Sequence, residues 1–229
     1  MPIIIGLFIV AIVAAIVILM VLPDNEDKRK NYLAQLAKLL EGQCDLIEGT
    51  EDCYRVQFNF RGKNFIYEDI MEEGFQQRRF QRGYLKVPLG INLVLSFTER
   101  ERSTLVENAT LRNIGTGWHK NLGNSRSAKK MSAFDIYTNN QGLVDVLMAD
   151  EEILNMFAGF KNIDSRGHPF MALDILEGYL ILRFYSREGF KPDLIDLQDN
   201  VSRIEGYLDL LSRMVDKIQR QASDKGFLQ

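Results

Sequence analysis

The stretch YRVQFNFRGKNFIY, residues 54–67, decides the fold class. Its first half alternates Tyr, Val and Phe with Arg, Gln and Asn, the period of two expected of a strand that buries one face. The residues RGKN at 61–64 supply a turn, and FIYEDI then returns as a second strand. We therefore predict an antiparallel β-hairpin, the first unit of an antiparallel sheet.

Further strands are predicted on both sides of residue 100. INLVLSFT at 91–98 alternates in the same way, and FMALDIL at 170–176 and YLILRFY at 179–185 flank the turn Glu177-Gly178 as a second hairpin. The segment 101–130 is poorer in apolar side chains and is predicted to be a long loop.

Three regions have the apolar period of an amphipathic helix. The first is stopped by Gly42 and repeats at i, i+3, i+4 and i+7 through Leu33, Leu36, Ala37 and Leu40. The second covers about residues 143–160, with a break near Asp150. The third begins near Pro192 and alternates spacings of three and four through Leu194, Leu197, Val201, Ile204, Leu208, Leu211, Val215 and Ile218.

A strict repeat of this kind suggests a coiled coil, so the flanking positions have to decide. Tyr207 and Met214 widen the apolar stripe, and the flanks do not offer complementary charges. These features favour a helix packed on a sheet over a self-associating coil.

The first residues predict a membrane anchor. Ile3 to Leu22 is a run of 20 residues without a charged side chain, and a helix of that length spans the roughly 30 Å of a bilayer's hydrocarbon core. The run lacks the basic n-region and the small-residue cleavage site of a signal peptide. We therefore predict a transmembrane anchor at 1–22, a juxtamembrane linker and amphipathic helix at 23–42, and an α+β soluble domain at 43–229.

The flanks of the run predict its topology. Lys28, Arg29 and Lys30 follow the run, and basic residues near a span stay on the cytoplasmic side. We expect a single-pass membrane protein with its N-terminus outside and its soluble domain in the cytoplasm. Ala11 and Ala15 form a small-xxx-small pair that predicts a helix–helix contact in the membrane; the alternative is that alanine is simply common in spans.

The composition limits the possible ligands. A formal charge of −3 argues against a general nucleic-acid binder, which carries a strongly basic face. Cys44 and Cys53 have no zinc-binding spacing, and we expect neither a metal nor a cofactor. Both thiols should be free in a cytoplasmic domain, whereas the opposite topology would make a 44–53 disulfide plausible.

Common catalytic motifs are missing from the sequence, so we predict a protein that is not an enzyme. Trp118 and His119 lie in the glycine-rich stretch NIGTGWHKNLG and could line a loop pocket. The alternative is that Trp118 anchors the loop to the core while His119 faces solvent.

The stretch QQRRFQRGYLK is the strongest candidate for ligand binding. Basic and aromatic side chains interleave in it, a composition that can bind phosphates; they are Arg78, Arg79, Phe80, Arg82, Tyr84 and Lys86. For a domain beside the inner leaflet, anionic headgroups are the nearest phosphates, at about 1 kcal/mol per basic residue. The alternative is a solvated strand face whose arginines pair with neighbouring carboxylates.

Several stretches in order resemble uncharacterised bacterial membrane-anchored proteins. They are LAKLLEG (36–42), the hairpin at 54–67, FDIYTNN (134–140) followed by a helix, the strand pair LDILEGYLIL (173–182), and a terminal helix. The resemblance implies an anchored α+β module and carries over no active-site residues.

These observations leave three hypotheses for function. The first is a non-enzymatic interaction or scaffold domain that serves as an accessory subunit of a membrane protein complex. The second is a binding module for anionic lipid or another phosphate-bearing ligand through residues 78–86. The third is an enzyme of unknown class. The expected partners are the bilayer and a membrane protein, with anionic lipid as a further partner and no nucleic acid.

Overall fold

The computed structural model of the chain describes residues 25–73, 79–91, 93–99, 119–120, 134–138, 140–156, 170–184 and 197–224. The predicted anchor, with Ala11 and Ala15, lies outside these residues, as do Arg78 and Trp118. No helix in the described ranges is both long and apolar enough to cross a membrane.

The described residues form an α+β fold. The helices are α1 (Asn25–Leu39), α2 (Gln141–Ala149), α3 (151–156) and α4 (Leu197–Asp224). The strands are β1 (Gln43–Leu46), β2 (Tyr54–Phe60), β3 (Lys63–Glu73), β4 (Arg79–Pro88), β5 (Leu95–Glu99), β6 (His119–Lys120), β7 (Phe134–Thr138), β8 (Phe170–Leu176) and β9 (Tyr179–Phe184). They pair antiparallel in one nine-stranded sheet of order β1-β2-β3-β4-β9-β8-β5-β7-β6.

Both predicted hairpins are confirmed. β2 pairs with β3 from Tyr54 opposite Asp69 to Phe60 opposite Lys63, and β8 pairs with β9 around Glu177-Gly178. In each two-residue turn both residues have positive φ, 50° and 76° at 61–62 and 52° and 79° at 177–178. Such turns match the right-handed twist of the flanking strands, which is why they close tight hairpins.

One face of the sheet packs against the helices. α1 buries Leu33, Leu36 and Ala37 against it, as the period predicts. α4 buries Tyr207 and Met214 at 2% and 1% exposure, together with its apolar repeat from Ile204 to Ile218, which confirms a helix packed in the core. The predicted break at Asp150 is also confirmed, because α2 ends at Ala149 and α3 begins at residue 151.

The end of α1 differs from the prediction that Gly42 stops it. The left-handed position belongs to Glu41, with φ of 53°. Gly42 is needed for a different reason: a Cβ there would come within 2.7 Å of the Phe58 Cβ and closer still to the Gln57 carbonyl oxygen. The glycine therefore lets the chain pass directly against β2.

Two strand predictions were wrong in part. β5 begins at Leu95 rather than at Ile91, although Ile91 and Leu93 are buried at 2% and 9% exposure. The alternation indicates that these side chains are buried, and a segment outside any strand can also be buried where it crosses the core. Within the predicted loop 101–130, His119–Lys120 form β6 beside β7; the rest of that segment lies outside the described residues.

The two cysteines are free and far apart along the sheet. Cys44 lies opposite Val56, and Cys53 lies three residues before Val56, directly before β2. Three residues of extended chain cover about 10 Å, which exceeds the roughly 7 Å limit between the Cα atoms of a disulfide. A 44–53 disulfide is therefore excluded by geometry, so this pair is no test of the topology.

Candidate functional site

β4 carries most of the predicted ligand residues. Leu85 and Val87 are buried in the core, so alternation places Arg82, Tyr84 and Lys86 on the sheet face away from the helices. Arg82 is buried at 8% exposure. Arg79 lies opposite Glu73 at the start of the strand, and Phe80 lies opposite Glu72.

Lys86 is bound to a carboxylate on the neighbouring strand. Its Nζ lies 2.5 Å from Oε2 of Glu68, and it lies 5.9 Å from the centre of the Tyr84 ring. From the other side, Arg55 donates to Oε1 of Glu68 through Nε at 3.0 Å and Nη2 at 2.7 Å. Glu68 therefore links three strands, β2, β3 and β4.

The electrostatics of Glu68 follow from this arrangement. Burial of the side chain raises the pKa of the carboxyl, but the hydrogen bonds and charges of Lys86 and Arg55 outweigh burial, so the pKa is lowered. A carboxylate with 7% of its side chain exposed is thus kept ionised by its two cations. For Lys86 the geometry matches the alternative of a strand face whose cations pair with neighbouring carboxylates.

A second ion pair lies on the same face, between β8 and β9. Arg183 Nε lies 2.6 Å from Asp174 Oδ2, and its Nη2 lies 3.3 Å from Oδ1 of the same carboxylate. Nη2 also lies 3.5 Å from the Ser96 hydroxyl. All three side chains are buried. Sequence reasoning missed this pair, although each charge interrupts an otherwise apolar strand of a predicted hairpin.

A buried ionic contact fixes α1 to the sheet. Arg29 Nε lies 2.9 Å from Asp69 Oδ1, with side-chain exposures of 10% and 1%. Arg29 also donates through Nη2 to the carbonyl oxygen of Asp52 and lies 5.2 Å from the Tyr54 ring centre. We call Arg29 and Asp69 the α1 clamp. One of the three basic residues that predicted the topology is therefore part of the domain's interior, whereas Lys30 is exposed.

Tyr67 is buried next to this clamp on β3. Burial, followed by the negative charge of Asp69, raises the pKa of its hydroxyl well above the ordinary value, so the hydroxyl stays protonated at neutral pH. The hydroxyl oxygen lies only 2.7 Å from the position that a Cβ on Gly83 would take. With Asp69 held by Arg29, the cluster is suited to fixing structure rather than to exchanging protons.

Of the predicted loop pocket, Trp118 and His119, the structure describes His119 alone. His119 lies in β6, its backbone paired with Thr138, while Trp118 before it is outside the described residues. No group of three His, Cys, Asp or Glu side chains that could hold a metal ion occurs in the ranges that the structure describes.

Comparisons with known proteins leave the assignment open. No protein-family model matches the sequence, and neither does any curated protein. Among solved structures, the chain is similar to the crystal structure of the mycobacterial trehalose monomycolate transport factor A, TtfA. The TM-score is 0.49 at 11% identity, over 85% of this chain and 93% of that one, a likeness that assigns neither a function nor a site residue.

Proposed function

We propose that this chain is a single-pass, membrane-anchored interaction domain without enzymatic activity, serving as an accessory subunit of a membrane protein complex. In this proposal Ile3–Leu22 is the anchor, the N-terminus lies outside, and the α+β domain lies in the cytoplasm. The observation that carries the proposal is the attachment of α1, which follows the apolar run after only Pro23 and Asp24.

A domain that only needed tethering would be served by a flexible, Gly/Ser-rich linker. Here the connection is a helix whose Leu33, Leu36 and Ala37 are 1%, 0% and 3% exposed. The α1 clamp adds a buried ion pair, whose partners are strongly destabilising when left unpaired. α1 is thus held firmly against the sheet, which supports a role that depends on presenting one surface at a fixed place beside the membrane.

The charges on the face of β4 support a protein partner over a phosphate ligand. Lys86 is bound to Glu68 and Arg82 is buried, so these two cations are not presented to solvent as phosphate ligands would be. A face of paired charges and half-buried side chains such as Tyr84 resembles the mixed polar surface of a non-obligate protein interface.

The proposal is tested by native mass spectrometry of the full chain, purified in gentle detergent through a C-terminal tag. We expect an intact mass that retains residues 3–22, together with a membrane protein in fixed stoichiometry. The matched control replaces Ile3–Leu22 by an unrelated apolar span of equal length. The partner should stay with this control if the domain recognises it. A chain that is released alone from both forms would contradict the accessory-subunit proposal.

Binding of anionic lipid is the second candidate, and one observation favours it. β4 begins at Arg79, at the same end of the sheet as the α1 clamp, because Gly83 lies opposite Asp69. Since Arg82 and Lys86 are engaged, the lipid contact would fall to Arg78 and Arg79.

We expect phosphatidylglycerol to stay bound to the wild-type chain in native mass spectra and to be lost from the R78E/R79E variant. The control is K38E/R220E, an equal charge change at two exposed positions. Equal lipid retention in both variants would remove this candidate. The third hypothesis, an enzyme, has no site among the described residues on which a test could be designed.

A further inference from the structure

The sheet has two distinguishable ends. The register places Gly83 opposite Asp69 at one end, which we call the near end. α1 begins there, because Arg29 in its second turn pairs with Asp69. α1 then runs in the direction of β2 and reaches the level of Phe58, against which Gly42 lies. The opposite end, the far end, holds the tight turns at 61–62 and 177–178.

The strand directions define the same two ends. β3, β5 and β9 end at the near end, and β2, β4, β7 and β8 begin there. Besides the turns at 61–62 and 177–178, the far end holds the connection 89–94 between β4 and β5.

Charge does not distinguish the near end. The segments that join its strands contain eleven Lys and Arg against nine Asp and Glu; they are 47–53, 74–78, 100–118, 121–133, 157–169 and 185–196. Glu72 and Glu73 also lie near this end. The attachment of α1 is therefore what decides the orientation.

We infer that the near end of the sheet faces the bilayer and that the far end points away from it. The inference rests on the proposed anchor. Pro23 and Asp24 let α1 begin no more than about 10 Å from Leu22, and Arg29 lies about 6 Å further along the helix. β3 continues from Asp69 to Glu73, about 13 Å toward the membrane. The near ends of β3 and β4 therefore lie at the depth of the lipid headgroups.

The two ends are far enough apart to be distinguished. β3 contains 11 residues from Lys63 to Glu73, so its ends are separated by about 35 Å. Only the near end is then within reach of a short-range probe attached to headgroups. Under this orientation the near ends of β3 and β4 lie closest to a membrane-protein partner, and the far-end turns remain accessible from the cytoplasm.

The test uses the full chain in lipid nanodiscs that contain phosphatidylglycerol and a lipid with a nitroxide on its headgroup. A fluorophore is attached to a single cysteine, E48C in the near-end loop before β2 or N64C beside the far-end turn, both exposed positions. The background is C44S, since Cys53 is buried at 5% exposure. We expect a several-fold larger loss of fluorescence at position 48 than at position 64.

The control weakens the clamp without touching either label. In R29A the difference between the two positions should shrink, because α1 is no longer held to Asp69. Equal or reversed quenching in a chain that stays in the nanodisc overturns the orientation and leaves the proposed anchor standing. A chain that does not enter nanodiscs at all overturns both. Circular dichroism of each labelled form checks that the fold is unchanged.

Discussion

At the scale of single residues, Gly83 shows how closely the interior is packed. Its position in β4 leaves no room for a side chain, because the Tyr67 hydroxyl lies 2.7 Å from where a Cβ would be. Tyr67 itself is 4% exposed, so it has little space into which to move. The glycine is required here by a close approach and not by its backbone conformation.

We expect G83A to lower the free energy of unfolding by about 2 kcal/mol, the cost of overpacking a core. Urea denaturation of the detergent-solubilised chain measures the change. Y67F removes the obstructing oxygen, so G83A/Y67F should lose less stability than the sum of the two single variants. Additive losses would mean that the hydroxyl is not what excludes the side chain.

For the α1 clamp we predict a larger effect of a single substitution on stability. R29A leaves the buried Asp69 carboxyl without its cation, and such a loss costs about 3 kcal/mol of unfolding free energy. The neighbouring exposed Lys30 is the control, with K30A expected within about 0.5 kcal/mol of wild type. Equal effects of the two substitutions in thermal denaturation would show that Asp69 has another partner of similar strength.

Residues of this kind could not be predicted from periodicity. Arg29 lies in a run of basic residues and Asp69 in the strand sequence FIYEDI, and neither pattern indicates that the two meet. Their contact depends on the position of α1 on the sheet, which is a tertiary property. The partner of Lys86 could not be predicted for the same reason, because strand register and not composition places Lys86 beside Glu68.

At the scale of elements, the junction between α2 and α3 shows how a helix start is stabilised. Asp150 accepts hydrogen bonds from the backbone N–H groups of Glu152 at 3.0 Å and Ile153 at 3.3 Å. Its other oxygen accepts from Gln221 at 2.8 Å and lies 3.1 Å from Lys217 Nζ. One carboxylate thus caps α3 and attaches it to α4.

We expect D150A to lower the free energy of unfolding by about 1–2 kcal/mol, the upper range for loss of an N-cap. E151A, at the adjacent exposed position, should be close to neutral in the same denaturation experiment. Lys217 stays bound to Glu152 at 2.8 Å, so α4 itself should remain helical by circular dichroism. A neutral D150A would mean that α3 is held by its apolar contacts alone.

The elements whose pattern is local were predictable. Both hairpins, the break at Asp150 and the buried stripe of α4 follow from alternation, turn residues and helical period. The start of β5 was placed too early, because Ile91 and Leu93 are buried without belonging to the strand. β6 was missed, because a two-residue strand has no period and its pairing with β7 is decided by distant residues. The order of strands in the sheet was likewise beyond any local signal.

At the scale of the whole molecule, stability should depend on pH on the acid side. The pKa values of Glu68 and Asp150 are lowered relative to 4.5 and 3.8, since their cationic partners outweigh burial. A carboxyl whose pKa is lower in the folded state binds fewer protons there. Its stabilising contribution is therefore complete above the unfolded pKa and is lost as pH falls through the folded one.

We expect the midpoint of urea denaturation to be steady from pH 7 to about 5 and to fall below that. E68Q should flatten the decline, since it removes one of the carboxyls whose pKa is lowered. It should also lower the free energy of unfolding at neutral pH by about 1 kcal/mol, a small loss because the half-exposed Arg55 is screened by solvent. E205Q, at an exposed position on α4, is the control and should keep the wild-type slope. An unchanged slope in E68Q would assign the acid sensitivity to other groups.

The attachment of α1 also determines how the domain would respond to mechanical load. Because α1 runs in the direction of β2, a pull on the N-terminal end of α1 would enter the sheet along its strands, through the clamp and the apolar stripe. The hydrogen bonds between strands would then be loaded together in shear, instead of being broken one after another.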